Sequence, residues 1–168
     1  MSLLFATRHD EGVGFYAQVQ ARIEGNEDLV GTDGVTFFNG SIRGGRRDPL
    51  RAIIEQQVFG YSTLRISERR ARWMEYATRH GLSDRVVQTI GLDLGVPLSE
   101  DDKAVWDSYP LAAKRARRIQ AWVEFLNNML QQSSVVMTFN NFQDSDREAL
   151  HVFNEVLQLL DFSHRQHR

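Results

Sequence analysis

The first third of the chain alternates apolar and polar side chains in a β-like pattern. In "VGFYAQVQARIEG" the apolar positions Phe15, Ala17, Val19, Ala21 and Ile23 alternate with Tyr16, Gln18, Gln20 and Arg22. A period of two is typical of a strand with one buried face, so a strand is predicted here. "VTFFNGSIR" is rich in β-branched and aromatic residues and predicts a strand over residues 35–42. The opening "LLFATR" predicts a further short strand.

From Asp48 the pattern becomes helical. Asp48 is suited to cap a helix, because its carboxylate can accept hydrogen bonds from the free amides of the first turn. Pro49 fits the first helical position, where its missing N–H costs nothing. Gly60 suits the end of this helix. The apolar residues between these signals recur at helical spacing: Leu50, Ile53, Ile54 and Val58.

Five more helices are predicted downstream. They cover residues 67–80, a short stretch after Ser83, a segment opened by "SEDD" at residues 99–102, residues 111–130, and residues 145–162. The helix over 111–130 is the longest, and its apolar stripe is broader than a coiled-coil seam. It is therefore expected to pack against other elements of the same domain.

The segment "VVMTF" at residues 135–139 is predicted to be a strand, and its almost wholly apolar sequence favours a central position in the sheet. The fold class expected is α+β, with a small antiparallel sheet of the N-terminal strands plus the 135–139 strand, packed with about five to six helices. We expect a single domain over residues 1–168. Residues 1–45 would be mainly β, 48–131 mainly helical, 133–140 a strand and 145–162 a helix.

Composition narrows the classes of site. The chain has no cysteine, which excludes disulfides, thiolate metal sites and cysteine nucleophiles. It holds no HExxH, GxSxG or phosphate-loop motif, so we expect no catalytic constellation, no cofactor and no metal. No window approaches the roughly 20 apolar residues of a membrane span, and no secretory signal is recognisable. We expect a cytoplasmic protein without a membrane partner.

Arginine supplies nearly all the positive charge, although the formal net charge is −2. The guanidinium fork suits phosphate and carboxylate partners. "IRGGRR" combines arginines with a glycine pair that would allow close approach to a phosphate, and two later clusters add to it. The candidate anion or nucleic-acid ligands are Arg43, Arg46, Arg47, Arg69, Arg70, Lys114, Arg115 and Arg118. The alternative is that these cations lie on different faces and pair with the protein's own carboxylates.

"ATRHDEG" near the start resembles the RHGE signature of histidine phosphatases, with Arg8, His9 and Glu11 at the matching positions and Asp10 where that family has glycine. The resemblance implies that His9 would accept a phosphoryl group and that Arg8 would hold the phosphate.

Three functions follow as hypotheses. The first is a non-enzymatic binding or regulatory protein that acts through a protein partner or through self-association, because the chain carries surplus aromatics and mixed charge but no cofactor loop. The second is nucleic-acid binding by the arginine clusters. The third is a small phosphate-handling enzyme centred on Arg8 and His9.

Overall fold

A computed structural model describes the backbone of residues 3–8, 15–25, 34–42, 47–60 and 63–165, with side chains in these ranges except at 3–8, 15–16 and 161–165. Seven helices occur in these ranges: α1 (Phe15–Glu24), α2 (Pro49–Phe59), α3 (Ile66–Arg79), α4 (Asp84–Asp93), α5 (Glu100–Ser108), α6 (Leu111–Gln132) and α7 (Arg147–Arg165). The strands are β1 (Leu3–Arg8), β2 (Val35–Ser41) and β3 (Ser134–Asn140), and a 3-10 turn follows at Phe142–Asp144. The predicted mixture of helices and strands is confirmed.

The sheet is parallel, so the antiparallel arrangement expected from the sequence is wrong. β3 is central, and both β1 and β2 pair with it in parallel, in the order β1-β3-β2. Hairpins would give antiparallel pairs, but each connection here carries at least one helix, and such crossovers return the chain to the same edge of the sheet. The prediction that 135–139 is a central strand is confirmed, since β3 pairs with β1 on one side and with β2 on the other, and residues 134–139 are all buried.

Residues 15–24 form helix α1 and not the predicted strand. In a run with a period of two, every second apolar residue is four positions from the next, and this is also the spacing of residues on one face of a helix. Val19 and Ile23 therefore share a helix face, and Ile23 is buried while Ala17 and Ala21 are exposed. An alternating sequence of this length fits both elements, and a crossover connection in a parallel sheet usually carries a helix.

The start of α2 follows its local sequence signals. Asp48 Oδ1 accepts hydrogen bonds from the amides of Leu50 and Arg51 at 3.0 and 3.3 Å, and Pro49 occupies the first turn. The chain leaves the helix through Gly60, whose φ of 62° lies in the left-handed region that favours glycine. The predicted cap, first residue and stop of this helix are all confirmed.

One face of the sheet carries the main core. Phe38 contacts Phe125 of α6 with ring centroids 6.1 Å apart, and Phe139 contacts Phe153 of α7 at 5.7 Å. A Cβ atom added at Gly40 would lie 3.0 Å from Ile53 Cγ2 of α2 and 3.0 Å from the Phe139 ring. Helices α2, α6 and α7 therefore pack closely on this face.

The opposite face of the sheet, here called the second face, is also covered at its centre. Val136 and Thr138 are on it, and both are buried. The connection from β1 to β2 passes over β3, and the connection from β2 to β3 runs in the opposite direction along the sheet. Because crossovers between parallel strands are right-handed, two crossovers in opposite directions place their helices on opposite faces. That rule assigns α1 to the second face.

Candidate functional site

The structure describes the side chains of six of the eight predicted cationic ligands. Arg43 and Arg46 fall outside the described residues. Arg47 is exposed and its Nη1 lies 3.8 Å from Asp146 Oδ1. Arg70 is exposed on α3, and Lys114 is half-buried near the start of α6.

Arg118 lies at the centre of a partly buried charge cluster. Its Nε donates to Asp93 Oδ2 at 2.6 Å, and its Nη2 donates to Asp48 Oδ2, so it joins α6 to the end of α4 and the start of α2. Trp122 Nε1 donates to the same Asp93 oxygen at 3.0 Å. Burial raises the pKa of the Asp93 carboxyl, against the opposing attraction of Arg118. Burial alone would lower the pKa of Arg118, but the attraction of Asp93 and Asp48 outweighs it and raises that pKa.

Arg69 and Arg115 also bind carboxylates of the chain. Arg69 Nη2 donates to Glu55 Oε1 at 2.9 Å and to the Leu94 carbonyl. Arg115 forms a two-point pair with Glu155 at 2.8 and 3.0 Å and donates to Glu148 at 3.1 Å. These contacts favour the alternative in which the arginines pair internally.

Two of the three arginines contact the same elements, and the third contacts another helix. Arg69 and Arg118 both bind α2 and the end of α4, whereas Arg115 binds α7. Nucleic-acid binding by the arginine clusters stays a prediction.

A different polar group is assembled at the carboxyl edge of the sheet, where all three parallel strands end. In the last register row, Arg8 of β1 pairs with Asn140 of β3, and Asn140 pairs with Ser41 of β2. Partners in register on parallel strands occupy the same face, so these three positions share the second face. We call Arg8, Asn140 and Ser41 the edge row.

The register row that precedes the edge row, here called the inner row, consists of Ala6, Thr138 and Asn39. The two rows differ in the hydrogen bonding of their described polar side chains. In the inner row, the hydroxyl of the buried Thr138 donates to Asn39 Oδ1 at 3.1 Å and to the Phe38 carbonyl at 3.5 Å. In the edge row, Ser41 Oγ and Asn140 Oδ1 are buried atoms without a hydrogen-bond partner among the described residues. Buried polar atoms are nearly always paired in folded proteins, so two orphans side by side mark this edge.

Two backbone hydrogen bonds join described residues near the edge row. The Ile42 amide donates to the Asn140 carbonyl at 3.1 Å, which extends the pairing one residue beyond β2. The Asp146 amide donates to the Arg47 carbonyl at 2.9 Å, which joins the residues just before α2 and α7. Asn141 then turns the chain with φ 57° and ψ 38°, the only positive φ among the described non-glycine residues.

Sequence reasoning singled out one member of the edge row and missed two. Arg8 ends β1, while His9 and Glu11 fall outside the described residues. Ser41 and Asn140 were missed because a single serine or asparagine carries no motif. A signal was present, since Asn39 and Ser41, and likewise Thr138 and Asn140, are polar residues two apart at the carboxyl ends of β2 and β3.

Across the part of the chain with described side chains, no group of three or more His, Asp or Glu residues is arranged to hold a metal ion. None of the described helices is both long enough and apolar enough to cross a membrane. Comparisons with protein families, curated proteins and solved structures give no match to this chain.

Proposed function

We propose that this protein binds a small polar molecule at the carboxyl edge of its parallel sheet, on the second face. The observation that supports the proposal is the pair of buried, unpartnered atoms Ser41 Oγ and Asn140 Oδ1. A hydroxyl and an amide on neighbouring strands provide both donors and acceptors to a ligand. The same atoms, left without a ligand, have no protein group to bind among the described residues.

The energetic argument concerns the cost of leaving these atoms unpaired. An unsatisfied buried polar group costs about 1–3 kcal/mol. Thr138, one step further from the edge, incurs no such cost because it bonds to Asn39. A fold that pairs Thr138 and leaves Ser41 Oγ and Asn140 Oδ1 without a partner among the described residues is therefore suited to exchange that cost for ligand contacts.

The position of the orphans supports the same function. In open parallel sheets, ligands bind in the crevice outside the carboxyl ends of the strands, at points where connections depart to opposite faces. Here the connections that leave β1 and β2 are assigned to opposite faces, and β3 lies between these strands. This second argument is an analogy at the level of the fold and adds to the first.

The test is a thermal-shift and calorimetric panel of ribose, adenosine, ribose 5-phosphate, adenosine monophosphate and inorganic phosphate. We expect at least one compound to raise the melting temperature, and Ser41→Ala to abolish that rise while leaving the ligand-free protein at least as stable. Ser108→Ala is the matched control, because Ser108 is exposed and donates to the Val105 carbonyl within α5. Equal ligand binding by wild type and Ser41→Ala, or no binding of any compound, contradicts the proposal.

Protein–protein contact is a second candidate, supported by an open groove of about 650 Å³ between α4, α6 and α7. Leu82, Val123 and Leu159 contribute apolar surface to it, and Leu159 is 46% exposed. An exposed apolar patch with a polar rim is typical of an interaction surface. Light scattering after size-exclusion chromatography tests self-association through it. Leu159→Lys should shift a dimer to monomer, and a wild-type monomer at all concentrations contradicts self-association.

A further inference from the structure

A small cavity of about 210 Å³ lies between α4, α5 and α6. Leu92 of α4 and Leu98 of the loop that follows it contribute apolar surface, and Trp106 of α5 contributes an aromatic ring. An apolar cavity of about 150 Å³ is large enough to bind benzene. This cavity, here called the α5 cavity, therefore has room for one aromatic ring with a small substituent.

Arg117 of α6 lines the α5 cavity and is half-buried. Its guanidinium carbon lies 4.0 Å from the centroid of the Tyr109 ring, which lines the same cavity. Arg115 and Arg118 of the same helix are each bound by two carboxylates, but no carboxylate among the described residues lies within ion-pair distance of Arg117. A guanidinium that is partly removed from water without an acidic partner favours an anion from outside the protein.

The two other charged side chains of the lining already have protein partners. Arg85 is bound to Glu124. Asp102 accepts a hydrogen bond from Ser99 Oγ at 2.6 Å in the first turn of α5, where the helix dipole also favours a negative charge. Arg117 is therefore the group that would bind the charge of a ligand. A second negative charge on the ligand would be repelled by Asp102, so a monoanion is favoured.

Helix α5 forms one side of the cavity, and none of its nine residues is buried. Two of its side-chain contacts lie within the helix, Lys103 with Asp107 and Ser108 with the Val105 carbonyl. A helix this short obtains most of its stability from packing, and α5 packs only through half-buried side chains. A segment of this kind opens locally at low cost, which gives a ligand access to the cavity.

We propose that the α5 cavity binds a small aromatic monocarboxylate. The carboxylate pairs with the Arg117 guanidinium, whose planar fork matches two carboxylate oxygens. The ring packs against Trp106, Leu92 and Leu98, which replaces water on these half-buried side chains. The α5 cavity lies among helices and is separate from the edge row, so the two sites are tested independently.

The experiment measures the binding of benzoate, benzamide and acetate to the full chain by isothermal titration calorimetry at neutral pH. Benzamide keeps the ring without the charge, and acetate keeps the charge without the ring. We expect benzoate to bind the wild type at least roughly tenfold more tightly than either probe. Benzamide loses a charge-assisted hydrogen bond, and acetate loses the apolar contacts.

Three variants assign the binding to this cavity. Arg117→Gln should reduce the affinity for benzoate to that for benzamide, and Arg117→Lys should retain part of the difference. Trp106→Ala should weaken benzoate and benzamide alike, because it removes the ring contact. Arg79→Gln is the matched control, since it removes an exposed arginine that pairs with Glu75 on α3, and it should leave all affinities unchanged.

A salt titration of the wild type gives a readout that does not depend on whether a variant folds. Higher salt should weaken benzoate and leave benzamide unchanged, because only the charge contact is screened. Equal affinities for benzoate and benzamide in the wild type overturn the proposal. So does benzoate binding that Arg117→Gln leaves unchanged, or the absence of benzoate binding at millimolar concentrations.

Discussion

Asn141 is the residue on which the turn after β3 depends. Its left-handed conformation costs an ordinary L-residue about 1–2 kcal/mol, and asparagine tolerates it better than most residues. We expect Asn141→Ala to lower the free energy of unfolding by about 1 kcal/mol. Asn141→Gly should change it by only a few tenths of a kcal/mol, because glycine lacks the Cβ atom responsible for the strain. Urea titration of the three proteins measures both changes, and an alanine variant as stable as the wild type would contradict the assigned backbone.

Arg118 joins three helices through two carboxylates. Its side chain is 25% exposed, and those of Asp48 and Asp93 are 17% and 19% exposed. Removing one partner of such a cluster leaves buried negative charge without compensation. We expect Arg118→Met to destabilise the protein by about 2–3 kcal/mol, somewhat less than for a fully buried pair because water still has access.

Arg79→Met is the matched control for Arg118→Met. Arg79 pairs with Glu75 one helical turn away, and both side chains are more than half exposed. Exposed pairs of this kind contribute about 0.5 kcal/mol or less. Both changes in the free energy of unfolding are measured by urea titration at neutral pH. Equal decreases for Arg79→Met and Arg118→Met would show that the cluster around Arg118 does not stabilise the packing of α2, α4 and α6.

Asp93 gives the same cluster a defined pH dependence. Burial raises the pKa of its carboxyl in the folded protein, so between the ordinary value of 3.8 and the raised pKa the folded state binds more protons than the unfolded state. Stability from this group therefore falls as pH rises through that window. The stability of the wild type minus that of Asp93→Asn should decrease from pH 3.5 to pH 7. An increase over this range would mean that Arg118 lowers the pKa more than burial raises it.

At the scale of the whole molecule, the sequence predicts local structure better than it predicts which strands pair and in which direction. The cap at Asp48 and the stop at Gly60 were predictable because their chemistry involves residues within one or two helical turns. The parallel direction of β3 relative to β2 was not predictable in this way, because 92 residues separate Ser41 from Ser134 and the helices between them determine how the chain returns to the sheet. The helix at 15–24 was missed because one alternating pattern satisfies both a strand and an i, i+4 face. The edge row was missed for the same reason as the pairing, since it exists only once three distant strands lie in register.

The parallel order β1-β3-β2 leads to a topological prediction that the lack of native cysteine makes simple to test. Val35 and Ser134 are register partners at the amino edge of the sheet, whereas an antiparallel pairing of the same strands would bring Val35 opposite Asn140. Adjacent strands place Cα atoms about 5 Å apart, within the range that a disulfide bridges. We expect the double variant Val35→Cys/Ser134→Cys to form an intramolecular disulfide under mild oxidation, detected by mass spectrometry. Val35→Cys/Asn140→Cys should stay reduced, because β2 and β3 run in the same direction and these positions lie at opposite ends of the sheet. A disulfide in the second variant and not in the first would require the antiparallel pairing, and it would separate Ser41 from Asn140 and so dismantle the edge row.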